Sequence, residues 1–152
     1  MDAVDKKILV ILQQDTGQPV ADIARKVGLS VTPCWRRIQR LEEGGIIRRR
    51  VALLNAKLVD LGMSVFVAIK ITEHSSEWLS NYPKKISEYE EVVEFYRMSG
   101  DVDYMLRVVV KNIAAYDTFY KKLISDIPIK DVSSSFAMEE IKYTTALPIE
   151  QN

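Results

Sequence analysis

The chain is poor in the side chains that most catalytic, metal-binding and secreted proteins depend on. One cysteine, Cys34, and one histidine, His74, occur in 152 residues. A lone cysteine excludes an intrachain disulfide, and its place on an apolar helical stripe reads as core packing rather than a reactive thiol. Such usage fits a reducing cytosol. His74 has no Cys or His neighbour at ligand spacing, so no metal site is expected and the residue reads as a surface one. There is no Cys–His or Ser–His arrangement and no glycine-rich phosphate loop, which argues against an enzyme and against a bound cofactor. No apolar run reaches the roughly 18 residues of a membrane-spanning helix, and the polar opening Met1-Asp-Ala-Val-Asp-Lys-Lys7 is no signal peptide. The expectation is a soluble, cytoplasmic protein.

Net charge is absent too, with 21 Lys+Arg against 21 Asp+Glu, but the neutrality hides a division. Residues 1–54 hold 10 basic and 6 acidic side chains, net +4, and residues 55–152 hold 11 and 15, net −4. One half attracts phosphate and the other repels it. With roughly 150 residues per domain as a prior, the break near residue 55 favours two small modules: residues 1–54, a linker over 55–62, and residues 63–152. A head of this size buries its surface only marginally, so help from a partner subunit is expected.

In the first module Val4, Ile8, Ile11 and Leu12 recur at helical spacing and predict a helix over about 2–14, closed by the turn Asp15-Thr-Gly-Gln-Pro19. Ile23, Ala24 and Val27 form a second stripe, and Cys34, Ile38 and Leu41 a third. Gly28 can take the positive φ that ends a helix, and Ser30, or Thr32 with Pro33 as first helical residue, can cap the next. After Gly44-Gly45, Ile46–Arg49 and Arg50–Leu54 are expected to pair as a small basic wing. The order is that of a winged helix-turn-helix.

With Cys34, Ile38 and Leu41 inward, Thr32, Pro33, Arg36, Gln39 and Arg40 share the opposite face, with Trp35 and Arg37 at its margins. Such a face offers guanidinium groups for guanine or phosphate, an amide for adenine and a threonine methyl for thymine. The run Arg48-Arg49-Arg50 flanks it as phosphate contacts, and Ser30 at the start of the helix is a further DNA-binding candidate. A solvated basic helix face is the plainer alternative. Agreement of helix, turn, cap and wing favours double-stranded DNA as the partner.

The second module alternates differently. Met63–Thr72, Val92–Ser99, Tyr104–Val110 and Val132–Ile141 read as strands. One helix is expected over 76–89, capped by Ser75 or Ser76 and bent at Pro83; another starts at the cap Asn112 and ends at Pro128. The repeated β-α-β unit of about 40 residues is the ferredoxin-like pattern. The fold class is therefore α+β, a winged helix-turn-helix followed by a ferredoxin-like βαββαβ domain. One face of such a sheet carries no helices; Phe66, Val108, Phe136 and Met138 are expected there, and a second copy is the economical cover. The turn Gly100-Asp-Val-Asp103 has two readings. Asp101 and Asp103 can hold an ammonium group while Gly100 with Ser134 or Ser135 holds a carboxylate, or the turn is an ordinary hairpin.

The runs Asp5-Lys-Lys-Ile-Leu9, Ile23-Ala-Arg-Lys-Val-Gly-Leu-Ser30, Thr32-Pro-Cys-Trp-Arg-Arg-Ile38, Leu41-Glu-Glu-Gly-Gly-Ile-Ile47, Ala52-Leu-Leu-Asn55, Gly100-Asp-Val-Asp-Tyr104 and Phe136-Ala-Met-Glu-Glu-Ile-Lys142 together resemble the Lrp/AsnC, or feast/famine, transcription regulators over nearly the whole chain. The resemblance implies a homodimer, often assembled into an octamer of four dimers, that binds and bends promoter DNA and responds to an amino acid. It places an effector site at Met98, Gly100, Asp101, Asp103 and Tyr104, with Ser134, Ser135 and Phe136 on a facing strand. Val31 stands where many members have Pro, which loosens the first helical turn. The runs His74–Trp78, Arg97–Asp101 and Ser133–Glu139 look most like the cysteine-responsive branch. Two other functions share these residues: an architectural protein that compacts DNA with little sequence preference, and an amino-acid-sensing domain whose head docks on protein.

Overall fold

The computed structural model describes the backbone of residues 1–72 and 76–150, and the side chains of all of these but Ser76 and Glu77. The expectations for His74 and for a cap at Ser75 or Ser76 lie outside what is described. The chain divides into two compact units, Met1–Leu53 together with the segment from Ile141 onward, and Leu54–Glu140.

The first unit contains α1 (Ala3–Leu12), α2 (Val20–Val27) and α3 (Val31–Glu43). Asp2 and Asp5 form a reciprocal cap at the start of α1, each carboxylate accepting the other's backbone N–H, at 2.8 Å from Asp5 and 3.1 Å from Asp2. This satisfies two amides that the first turn cannot pair. Ile8, Leu9 and Leu12 of α1 pack with Ile23 and Ala24 of α2 and Cys34, Ile38 and Leu41 of α3. Each fully buried Ile or Leu is worth roughly 1.5–3 kcal/mol, so a core this small gains from every addition. Ile149 supplies one. Beside it, the Gln13 side-chain amide donates to the Leu147 carbonyl and accepts the Leu147 N–H, both at 2.9 Å. Residues 141–150, expected to belong to the second domain, therefore pack with the first unit, because Ile149 adds to its apolar core and Leu147 offers an N–H and a carbonyl to the Gln13 side chain just past α1.

The expected wing strands do not form: residues 46–54 contain no strand. Ile47 is tied back to α3 through its N–H to the Leu41 carbonyl at 3.0 Å, and Arg49-Arg50, at the middle of the expected hairpin, offer none of the residues that a two-residue turn requires. The linker is partly ordered as a 3₁₀ turn, Ala56–Val59, started by the Asn55 side chain.

The second unit is a four-stranded antiparallel sheet, β1 (Met63–Ile71), β2 (Val92–Arg97), β3 (Tyr104–Val110) and β4 (Ile129–Phe136), in the order β2-β3-β1-β4. Helices α4 (Ser76–Ser87) and α5 (Ile113–Asp126) cover one side. Alternation fixes the faces. Val65, Val67, Ile69 and Ile71 of β1 point to the helices with Tyr104, Leu106, Val108 and Val110 of β3. This corrects two residues expected on the open face. Val108 lies opposite Val65 and is fully buried, and Phe136, opposite Val65 on the other side, sits at the sheet edge with its ring 5.2 Å from that of Tyr116. Met138 lies beyond the last strand and is exposed. β4 begins three residues earlier and ends five residues earlier than expected, since Ile127 is already extended before Pro128 and the chain pairs with β1 at once. The uncovered face carries Phe66, Ala68, Met105 and Val109, with Tyr96 on β2 and Ser133 and Ser135 on β4.

Candidate nucleic-acid interface and effector site

The corner between α2 and α3 is set by Gly28, whose φ of 73° only glycine adopts without strain. Its left-handed turn lets the Leu29 N–H reach the Ala24 carbonyl at 2.9 Å, closing α2 so that α3 leaves in a new direction. Ser30 occupies the N-cap position in extended conformation, without a side-chain hydrogen bond, and Val31 is the first helical residue. Thr32 and Pro33 are consequently within the first turn of the helix, where a proline is tolerated because first-turn amides have no partner.

Cys34, Ile38 and Leu41 are buried, and Thr32, Pro33, Arg36 and Arg40 are exposed on the other side with Gln39 half-buried. Trp35 is 47% exposed beside them, a large flat group that the sequence placed only at the margin. The arginines of α3 and of the segment after it differ in their partners. Arg37 turns back toward α1, 2.6 Å from Asp2 and 2.7 Å from Asp5. Arg40 reaches Asp5 only at 3.3 Å and keeps 65% of its side chain in solvent. Arg36, Arg48 and Arg49 are exposed, with no ion pair or hydrogen bond among the described residues. Arg50 lies 2.8 Å from Glu42.

Asp5 is the residue whose role the sequence did not announce, although the Asp2-x-x-Asp5 spacing carried the signal. Its side chain is 3% exposed. Burial alone would raise its carboxyl, but the Arg37 hydrogen bond and the Asp2 amide together hold it below the usual carboxylate range. Asp2 is pulled to about 2, first by the Asp5 amide and then by Arg37. A carboxylate anchored in α1 thus fixes the rotation of α3 and with it the outward face. Cys34 is buried, and burial pushes its thiol up, which makes it inert.

In the second unit the expected effector residues fall into separate places. Met98, Gly100 and Asp101 are exposed on the turn between β2 and β3, with Gly100 at φ 120°. Asp103 is engaged: its carboxylate accepts the Ile71 N–H at 2.8 Å and its N–H donates to the Ile69 carbonyl at 3.0 Å. Tyr104 is buried on the helix side, its ring 5.0 Å from Trp78. Ser134 also faces the helices, hydrogen-bonded to the Tyr116 hydroxyl, while Ser135 stands on the open face opposite Phe66. β1 separates β3 from β4, so one protomer does not gather these groups into a closed site.

Comparison with known proteins gives the following. A family profile described as the Lrp/AsnC ligand binding domain matches residues 64–147, and one described as winged helix-turn-helix DNA-binding matches residues 1–48. The chain is 48% identical over 151 residues to the DNA-binding transcriptional activator DecR of Escherichia coli strain K12, spanning 99% of each protein. A solved AsnC family transcriptional regulator from Agrobacterium tumefaciens is 64% identical, with a TM-score of 0.95 over 97% of both chains. A transcriptional regulator from Neisseria meningitidis, solved as its complex with L-methionine, is 32% identical with a TM-score of 0.92 over 97% of this chain and 96% of that one.

Proposed function

The chain belongs to the Lrp/AsnC family, and from that premise we propose that it is a sequence-specific DNA-binding transcription regulator of the cytoplasm, whose second unit binds an amino acid. The observation that carries this reading is the outward face of α3. Thr32, Arg36, Gln39 and Arg40 stand out of the core in one row while Arg37 is turned inward to hold the helix. In a major groove these four groups read base edges, and Arg48 and Arg49 neutralise the flanking phosphates. Arg50 can join them by leaving Glu42.

A second copy packed on the open face of the sheet buries Phe66, Tyr96, Met105 and Val109 and pairs two heads, as successive half-sites roughly 34–36 Å apart on one side of a duplex require. Four such dimers form the octamer that the family resemblance implies. Copies meeting at the β2–β3 turn can gather what one protomer keeps apart: Asp101 for the ammonium group, and the Gly100 amide with the Ser135 hydroxyl for the carboxylate. Asp103 has a structural task instead. The L-methionine held by the Neisseria relative supports an amino acid as effector.

Gel shifts with promoter and scrambled duplexes over a salt series test the proposal. Sequence preference is expected to persist as salt rises, with log affinity falling by roughly 0.9 per neutralised phosphate. Equal affinity for both duplexes at every salt concentration would leave an architectural protein, and no binding to either would leave a protein-docking head.

A further inference from the structure

We infer that Trp35, with Val31 one turn before it, reads the 5-methyl group of a thymine in the major groove and so adds an apolar element to the specificity of α3. This role rests on the DNA-binding reading proposed above. Val31 and Trp35 are the first and fifth residues of α3, and side chains four positions apart stack along one side of a helix. They are 50% and 47% exposed, respectively. Trp35 has no hydrogen bond or ring partner among the described residues. The chain's other tryptophan, Trp78, is 4% exposed, its ring 5.5 Å from that of Tyr82 and 5.0 Å from that of Tyr104. Aromatic side chains dominate core and interface energetics, so a half-exposed indole on a helix that already packs on a core keeps that surface for a partner.

The helix sets this pair beside the outward row of polar groups. Cys34, Ile38 and Leu41 face the core. Arg37 is held on one flank by Asp2 and Asp5 at the start of α1. Residues two apart on a helix lie on nearly opposite sides, so Trp35 stands on the other flank, away from those carboxylates. Thr32 and Arg36 are the exposed neighbours of Val31 and Trp35. All four belong to the first half of α3, and it is the first residues of a recognition helix that contact base edges.

Charge and chemistry name the partner. Residues 31–40 carry three arginines and no acidic side chain, so the surroundings of the pair suit a polyanion. In the major groove the thymine methyl is the apolar group, and the remaining base edges present hydrogen-bond donors and acceptors. Indole and isopropyl carbons set against a cytosine amino group or a purine N7 strip water from a polar group and return no hydrogen bond. Set against a thymine methyl, they take apolar surface out of water on both sides. Thr32 also carries a methyl, but its hydroxyl donates and accepts hydrogen bonds, which lets it sit beside a polar edge. Val31 and the indole carbons of Trp35 have no such alternative.

The test begins with duplexes that the full chain enriches from a random-sequence library. Each is rebuilt with its thymines replaced singly by uracil, which keeps every polar group of the base and removes only the methyl. Kd is measured by gel shift for thymine and uracil duplexes with the parent, Trp35→Ala, Trp35→Gln and Thr32→Ser. At one position or more the parent should prefer thymine about fourfold, the effect of burying one carbon group. Trp35→Ala and Trp35→Gln should each bring that ratio to about one, and Thr32→Ser should leave it at about four. Each ratio compares two duplexes with one protein, so a partly unfolded variant reports the same ratio, and Trp35→Gln serves where Trp35→Ala does not fold. Thymine reading by Trp35 is overturned if no uracil duplex binds more weakly than its thymine parent, if both Trp35 variants keep the full preference, or if Thr32→Ser removes it. Trp35 variants that lose enriched and scrambled duplexes by one common factor, with the thymine preference intact, mark a sugar or phosphate contact and overturn it too. Those results leave the DNA-binding reading standing. A parent that enriches no sequence overturns sequence-specific binding itself, and the role of Trp35 with it.

Discussion

The Asp103 carboxylate accepts the Ile71 amide at 2.8 Å, at the point where the β1–β4 register shifts between Lys70 and Ile71. A bulge leaves a backbone group without its ladder partner, and Asp103 supplies one from the neighbouring turn. The two aspartates of Gly-Asp-Val-Asp thus have different tasks, one closing the sheet and the other facing solvent.

Asp103→Ala should therefore lower the stability of the second unit by about 1–2 kcal/mol, the cost of an orphaned amide, measured as a shift of the urea midpoint. Asp101→Ala should stay within about 0.5 kcal/mol, as exposed substitutions do. Equal losses from the two would mean that the bulge is not held by Asp103.

Asp5 anchors α3 by the same logic. Asp5→Ala removes the buried partner of a half-buried arginine and should cost about 2–3 kcal/mol, since hydrogen bonds to charged groups are the stronger ones. Both Asp2 and Asp5 are held below their ordinary value in the folded head. The unfolded chain thus binds protons first, and stability is full above about pH 4 and falls as pH drops toward about 2. Thermal melts followed by circular dichroism between pH 6 and pH 2 should show this decline, and the Asp2→Asn, Asp5→Asn double variant should lose most of it. An unchanged pH profile in the double variant would reject the assignment.

On DNA, Arg36→Ala should relax the preference at one base position by about 1–3 kcal/mol. Arg49→Ala should weaken all sequences alike and flatten the salt slope by about one unit. Competition gel shifts over a salt series separate the two. If Arg36→Ala loses promoter and random DNA equally, the outward face of α3 touches only phosphate.

The open sheet face makes its own forecast. Phe66 is 42% exposed at the middle of β1, and Phe66→Glu puts a charge where a second copy is proposed to pack. Sedimentation should show monomers at micromolar concentrations with unchanged secondary structure, because the substitution leaves the helix-covered core alone. Persistence of the parent's mass would exclude this face as the interface.

Much of the architecture was legible because periodicity reports burial directly. The stripes Cys34, Ile38, Leu41 and Val65, Val67, Ile69 are buried as their spacing requires, and Gly28 turns the chain where a positive φ was needed. Val108 and Phe136 were misplaced because a run such as Met-Leu-Arg-Val-Val-Val110 alternates weakly, and parity is then set by the partner strand rather than by the residue itself. The wing was inferred from charge and β-branched residues, which say nothing about whether a turn can join them. At the candidate site, types were readable and loyalties were not. Arg37 and Arg36 are adjacent and alike, yet one serves α1 and the other the solvent, because Asp5 is thirty-two positions away from Arg37 in sequence and touches it only once the helices pack.

The Gln13–Leu147 pair and Ile149 carry a consequence for biosynthesis. The first helices leave the ribosome early, but the Ile149 side chain that packs on their core and the Leu147 backbone that pairs with Gln13 arrive only after residues 147–149 have been translated. The core of the head is complete only once the sheet domain between its two pieces has been translated, so a chain stalled inside that domain lacks the contacts of Leu147 and Ile149.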